Sequence, residues 1–412
     1  MRYQLLQEDS ETIRVQFEKD DFLSLEGKLK SRQTLRLQEG QKMVTVSGEM
    51  DSAFDLLMNK AKFLLPWAAS FDSELPVDFE SESRSFKSSH WFESLSHKEL
   101  KELGHEFVAR LQKEFPDLAT DLTLAREHRN IRLKSSSGKV SEYGFDCLSI
   151  SNVITGCSDE DIFFWGQDYQ GMPESYEDIE FFIDSLVQEL QFTRSISEID
   201  AGEYPFIFHP ALIQSQLMKV VEAGFNPANL ENGSSPLLNK EGQQLLHNSI
   251  NVYQTSEHVP TDLYGVPSVK RSYFEDGVLK TIPVSVKSSK VMGREANGAN
   301  YPSGFFSDLI FQGGDKGLEE MIASIDEGVL LIISGDLFMG QILYGDMRGT
   351  IQGGLHIKDG KIQGRVKDRS LGFNFYNALN EDLRGISKET RQWGTAHKEE
   401  YPYLLVDGVQ VS

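Results

Sequence analysis

The stretch "GGLHIKDGKIQGRVKD", residues 353–368, decides the fold class. Apolar and polar residues alternate on both sides of Asp359-Gly360. A period of two is the spacing of a half-buried strand. Asp-Gly supplies the two positive φ angles that a type I′ turn needs. The stretch therefore reads as a β-hairpin, with Leu355 and Ile357 facing Ile362 and Val366. Two further pairs, Asp276-Gly277 and Asp407-Gly408, also lie between alternating or apolar runs and are read as hairpin turns.

Working outward, "GLEEMIASIDEG" (317–328) places Leu318, Met321, Ile322 and Ile325 on one helical face. Gly328 is expected to end that helix, and the buried strand "VLLIIS" follows. Residues 373–405 show no clear period and read as irregular. Upstream, "HPALIQSQLMKVVEAGF" (209–225) reads as a helix with Ile213, Leu217 and Val220 on one face.

The first half mixes periods. "TIRVQFEKD" (12–20) and "KMVTVSGEM" (42–50) read as strands. Residues 52–66 read as a helix with Phe54, Leu57, Ala61 and Leu64 on one stripe and Asp51 or Ser52 as its cap. Ser96 and Glu99 form a predicted capping box for a helix burying Leu100, Leu103, Phe107 and Leu111. Ser137-Gly138 is a predicted reversal between strands. Residues 176–192 form a third helix facing inward with Ile179, Phe182, Ile183, Leu186 and Leu190. The pattern breaks at "SISEIDAGEYP". The expected architecture is α+β in two domains: a mixed α/β layer domain over 1–195, and a β-rich antiparallel sheet or barrel-like domain over 196–412.

The 412 residues are 39% hydrophobic and 25% charged, an ordinary globular balance with length for a substantial core. The formal charge of −22 disfavours direct nucleic-acid binding, because such a surface repels phosphates. Cys147 and Cys157 lack a CxxC spacing and are too few for a disulfide framework. No apolar run reaches the length of a membrane span. With no apolar leader at the N-terminus, the expected location is cytoplasmic.

Catalytic signatures are sparse. His105-Glu106 begins like a zincin helix, but Ala109 and Arg110 stand where a second histidine would close the motif. Both residues point away from the buried stripe and read as solvated. There is no phosphate-binding glycine loop and no GxSxG elbow. His247, Glu257, His258 and His356 could form an alternative metal or hydrolytic site only if the fold brought them together. The glycine-rich run Gly335, Gly340, Gly345, Gly349, Gly353 and Gly354 reads as turns and close strand contacts, or as backbone lining a cleft. The cleft-lining candidates are Gly345, Asp346, Gly353 and Gly354.

The order of segments carries a resemblance. "AGEYPFIFHPALIQSQLMKVVEAGF" (201–225) leads to "YFEDGVLKTIPVSVKSSKVMG" (273–293) and "GREANGANYPSG" (293–304). Then come "FQGGDKGLEEMIASIDEGVLLIISG" (311–335), "YGDMRGTIQGGLHIKDGKIQGRVKDRSLGFNFYNAL" (344–379) and "YPYLLVDGVQVS" (401–412). This succession resembles the TldD/PmbA family, candidate modulators of DNA gyrase also described as peptide-maturation metalloproteases. The resemblance covers about residues 200–412, and the N-terminal part fits loosely. It implies cytoplasmic dimers enclosing a proteolytic chamber, with extended peptides as substrates. In the TldD-like branch a helix carries HExxxH and a C-terminal cysteine completes the zinc ligands. Here those helix positions fall near Lys219, Val220 and Gly224, and no histidine lies between His209 and His247. No cysteine follows Cys157. The chain therefore looks like the PmbA (TldE-like) branch. No catalytic or metal-ligating residue and no cofactor is expected in this chain. Zinc is expected only in an HExxxH-bearing paralogue with which it would form a heterodimer. The alternatives are a homodimeric peptide-binding module without proteolysis, or a peptidase with a non-standard metal site.

Overall fold

The computed structural model describes residues 1–412 except 50, 86–88, 158–161, 300, 302–305, 336, 338–339 and 394–398. Part of "GREANGANYPSG", at 300 and 302–304, thus lies outside the described residues.

The first sheet is built from β1 Arg2–Glu18, β2 Asp21–Glu39, β3 Lys42–Glu49, β4 Glu82–Ser85, β5 Leu118–Ser135, β6 Val140–Cys157, β7 Ile162–Trp165 and β8 Tyr169–Gly171. Its order is β3-β2-β1-β5-β6-β4, with β7 and β8 also paired to β6. The expected strand at 12–20 is the end of a much longer β1. β2 was not expected: its first half is exposed, although Leu23, Leu25 and Leu29 recur at a period of two. Gly138 turns β5 into β6 at φ 84°. Helices α1 Phe54–Leu64, α2 His90–Ser94, α3 His97–Glu114 and α4 Tyr176–Thr193 accompany the sheet. Leu100, Leu103, Phe107 and Leu111 of α3 are buried with Val15, Phe17 and Leu124 of the sheet.

Two caps differ from expectation. α1 starts from Ala53 with no side-chain cap, so neither Asp51 nor Ser52 serves. At α3, Ser96 Oγ accepts from the Lys98 amide and donates to the Glu99 carboxylate, so the reciprocal box is not made. A true capping box forms instead at α4, between Ser175 and Asp178.

The second sheet contains β9 Ile196–Ser197, β10 Gly202–Phe208, β11 Val252–Gln254, β12 Arg271–Glu275, β13 Val278–Leu279 and β14 Leu309–Phe311. It continues with β15 Glu327–Gly335, β16 Asp346–Lys358, β17 Lys361–Val366, β18 Arg369–Asn374, β19 Leu383–Trp393 and β20 Glu399–Val411. β20 pairs β10, β10 pairs β15, β15 pairs β16, β16 pairs β18, and β18 returns to β20. The strands therefore close into a ring, and the architecture is α+β with a strand-rich, barrel-like region. Phe206, Phe208, Val329, Leu331, Met347, Ile351, Leu371, Val406 and Val409 share one core. The residues between them, Ile207, Leu330, Ile332, Leu355 and Leu405, belong to the core that also holds α3 and α4. Both faces of these strands are buried, as in sheets covered on both sides.

The deciding hairpin is present. Asp359 and Gly360 take φ 50° and 70°, and Ile357 stands opposite Ile362. A register shift after His356 puts Leu355 opposite Arg365, while Val366 turns to the other core. Asp276-Gly277 is likewise a hairpin turn, between β12 and β13. Asp407-Gly408 is not a turn. It lies inside β20, where Tyr204 pairs with Val409 but Phe206 with Val406, so one extra residue bulges out. Gly408 at φ 75° supplies the left-handed residue such a bulge needs. The 317–328 helix stops earlier than expected, at Leu318–Ala323, and Gly328 sits within β15. A side chain at Gly328 would meet the Pro205 carbonyl at 2.4 Å, so close strand packing explains this glycine. The described residues of 373–405 are mostly regular, though β19 is broken by register shifts. They hold the end of β18, a short helix Phe375–Ala378, β19 and the start of β20.

Two turn glycines test this reading. Gly138→Ala meets open space and should cost about 1–2 kcal/mol from its backbone alone. At Gly277 the new Cβ would lie 2.1 Å from the Leu246 carbonyl oxygen. Gly277→Ala should therefore cost roughly 1–3 kcal/mol more, from overpacking. Equal urea midpoints for the two variants would contradict the packing at Gly277.

Candidate functional site

The 209–225 segment is a helix with an interruption. α5 Pro210–Leu212 passes into a π turn, Ile213–Leu217, and then into α6 Met218–Phe225. His209 caps it, its Nδ1 accepting the Ala211 amide at 3.1 Å. Leu212, Ile213, Leu217, Met218, Val220, Val221 and Phe225 all enter the core of the ring. The π turn adds a residue to the repeat, so buried positions spread around the helix rather than along one stripe.

The Ala211–Gln216 part of this helix forms one wall of a cleft of about 820 Å³. A second wall is the β6–β7 end of the first sheet, and a third comes from Ile332, Ile333, Thr350–Gln352 and the Arg365–Ser370 connection. All four residues of β7 line the cleft. Successive side chains of a strand point to opposite faces, so this happens when the strand presents its edge. Among the described residues β7 pairs only with β6, and its other edge is unpaired. Val153, Ile162 and Phe164 stand 44%, 63% and 62% exposed beside it. On the helix wall Gln216 donates to the Ser334 carbonyl at 3.0 Å, while its own carbonyl oxygen is buried without a partner. Arg365 stacks 4.6 Å over the Phe163 ring.

Behind β7 lies a polar seam. Asn152 bonds the Gln167 backbone, and a side chain at Gly166 would strike the Asn152 carbonyl, so this loop is tightly held. The Gln167 amide donates to Glu189 on α4, and Arg391 on β19 donates to the Gln167 carbonyl oxygen at 2.7 Å. Burial pushes the Glu189 carboxyl up from 4.5 to about 7, although Arg391, Gln167 and Trp165 each pull it down. His209 lies edge-on to Tyr403 at 5.1 Å. Burial, reinforced by Arg391, holds the His209 imidazole well below its ordinary range, so the ring is neutral. Its Nε2 has no hydrogen-bond partner among the described residues. Sequence reasoning gave no role to Gln167, Glu189 or Arg391, which meet only through folding.

The positions expected to match a zinc-binding helix do not fit zinc. Lys219 is paired with Glu222 at 2.7 Å. Val220 is fully buried, and a Cβ on Gly224 would sit 2.6 Å from Leu237. Nor does the fold assemble the alternative set. His247 bonds Ser249 and His258 bonds Asp308, both at 2.8 Å; Glu257 is exposed. His356 is buried in β16, with Nδ1 2.7 Å from the Ser197 hydroxyl. Among the described residues no three His, Cys, Asp or Glu converge to hold a metal ion. His105 and Glu106 are exposed, with the His105 ring edge-on to Phe17. Gly345, Asp346, Gly353 and Gly354 do not line the cleft. Gly345 turns at φ 78° against Tyr376, Asp346 opens β16, and Gly353 and Gly354 make room for Ile333 and Ile351. The lining comes from the preceding residues, Thr350–Gln352.

Residues 201–412 match the profile of the PmbA/TldA metallopeptidase C-terminal domain, more than half of the chain. The chain belongs to the TldD/PmbA family. TldE from Thermococcus kodakarensis superposes with a TM-score of 0.89 at 16% identity, covering 100% of this chain and 96% of that one. A candidate modulator of a DNA gyrase from Thermotoga maritima gives 0.85 at 18% identity, with 100% and 96% coverage. One from Bacteroides thetaiotaomicron gives 0.82 at 17%, with 100% and 94%. At such identities the structural likeness shows a shared fold. No curated protein matches the chain. Among the described residues no helix is long and apolar enough to cross a membrane.

Glu189 gives the seam a pH signature. Its folded value, about 7, lies above the ordinary 4.5, so the folded chain holds the proton more tightly. The ionised carboxylate thus carries no penalty below pH 4.5, and the penalty grows until the pH passes about 7. Wild-type stability should fall across this window by roughly 1–3 kcal/mol more than that of Glu189→Gln. Urea titrations at pH 5 and pH 8 measure it, and parallel profiles would show that Glu189 is not so perturbed.

Proposed function

We propose that this chain holds extended peptides in the cleft beside β7 without cutting them. It would serve as the non-catalytic subunit of a cytoplasmic zinc metalloprotease complex, and an HExxxH-bearing paralogue would carry the zinc. The observation that bears most weight is the open edge of β7 facing a cleft of about 820 Å³. A free strand edge binds an extended backbone through its amides and carbonyls, and alternate side chains of the peptide then choose between pockets. Phe163 and Phe164 offer apolar contact. Lys219, Val220 and Gly224 do not suit a metal, which supports placing the hydrolytic chemistry on a partner. A role towards DNA gyrase, of the kind two relatives are named for, would run through protein contact, since a charge of −22 opposes approach to DNA.

Calorimetric titration of the pure chain with extended peptides should show saturable binding without cleavage. Phe164→Asp should weaken it about tenfold through lost apolar burial and a charge at the edge. Metal analysis should find no stoichiometric zinc in the isolated chain and zinc in its complex with the paralogue. Zinc held by the chain alone, or an affinity untouched at Phe164, would overturn the proposal.

A further inference from the structure

The cleft differs in charge from the molecule around it. The chain carries −22 overall. Among the described residues lining the cleft, the cations Arg365, Lys367 and Arg369 outnumber the anions Asp168 and Asp368. The three cations sit at alternate positions where β17 passes into β18. Both arginines are anchored by carbonyl groups. Arg365 Nε donates to the Thr193 carbonyl at the end of α4, at 3.3 Å, with its guanidinium over the Phe163 ring. Arg369 is half-buried; its Nε donates to the Ile199 carbonyl at 2.8 Å and its Nη1 to the Asp368 carbonyl at 3.2 Å. Among the described residues Arg369 makes no ion pair. A neutral carbonyl fixes a guanidinium in place without cancelling its charge.

We infer that the cleft selects peptides bearing a carboxylate, and that Arg365 and Arg369 receive it. This rests on the reading of the cleft as a peptide site. A peptide strand added to β7 turns every second side chain to the face on which Phe163 lies against Arg365. A carboxylate on that face, from a side chain or from the chain end, meets planar guanidinium groups whose geometry suits it. Two opposing charge effects differ in range. Repulsion between an acidic peptide and the acidic surface is largely screened beyond about 8 Å at physiological salt. Direct contact with a guanidinium inside a walled cleft is screened much less, so the local attraction wins. Phe163 and Phe164 supply affinity without regard to charge, and the arginines add the preference.

Calorimetric titration of the full chain with one family of short extended peptides measures this. The parent peptide has uncharged side chains and is capped at both ends. One arm places Glu, Gln or Lys at each position in turn, and the other frees the C-terminal carboxylate. Glu at a favoured position, or the free terminus, should bind about tenfold tighter than its neutral counterpart, the worth of one hydrogen bond to a charged group. A gain confined to Glu names a side chain as the source, and a gain confined to the free terminus names the chain end. Lys at the favoured position should bind more weakly than Gln. Arg369→Gln should bring the ratio between charged and neutral peptides close to one. Arg369→Lys should keep part of it, and Arg369→Glu should favour Lys over Glu. Circular dichroism would confirm unchanged folding, and the comparison of peptides on the wild type stands without any variant. Peptides that bind alike whatever their charge, or a preference for Lys, would overturn this inference and leave the peptide reading intact. Absence of binding by every peptide would overturn both.

Discussion

The ring of strands depends on one constraint: its members must satisfy two cores at once. Phe206 and Phe208 of β10 point into the ring, and Ile207 between them points out towards α4. The same division runs through Val329 and Leu331 against Leu330, and through Val406 against Leu405. Neither face is free to be polar. The outward face fuses the ring to α3 and α4, which also cover the first sheet, so the two sheets share a single continuous apolar layer. A polar substitution on either face of β10 would then disturb one of these cores, with no solvated side to absorb it.

That constraint governs what the 209–225 helix can carry. It enters the ring's core, and its π turn spreads buried positions around it. A glutamate at Val220 would be buried, and a histidine at Gly224 would run into Leu237. Polarity collects instead at the margin, where Gln167 bridges Arg391 and Glu189. This seam ties the loop after β7 to α4 and β19, and so fixes the strand whose free edge lines the cleft. Binding by backbone needs a rigid edge more than it needs a reactive side chain.

Much of this was legible in the residues. α3 and α4 have one wet side and one buried side, so their periods were plain. Asp359-Gly360 and Asp276-Gly277 combine turn chemistry with flanking alternation. Asp407-Gly408 has the same chemistry but lies in a strand paired on both sides, and there the left-handed glycine makes a bulge. Residues 373–405 looked irregular because β19 is largely exposed and broken by register shifts, while the start of β20 is buried on both faces and loses its alternation. β2 was missed for the opposite reason, since its first half is buried on neither face. The cleft was the least legible feature. Its walls come from segments far apart in sequence, and its most informative group is a strand edge, which no side chain announces. The glycines chosen as its lining, Gly353 and Gly354, turn out to be spacers for neighbouring strands.

β20 joins β10, β14, β18 and β19, and it follows all of them in the chain. During synthesis the ring therefore stays open until residues 399–411 have left the ribosome. Up to that moment β10 and β18 lack a shared neighbour, and the helix beginning at Pro210 has no closed wall to plug. The first sheet, whose long hairpins are local, can assemble well before this. Nascent chains halted short of β20 would display sticky, half-built strands, a natural target for chaperones that recognise exposed apolar edges.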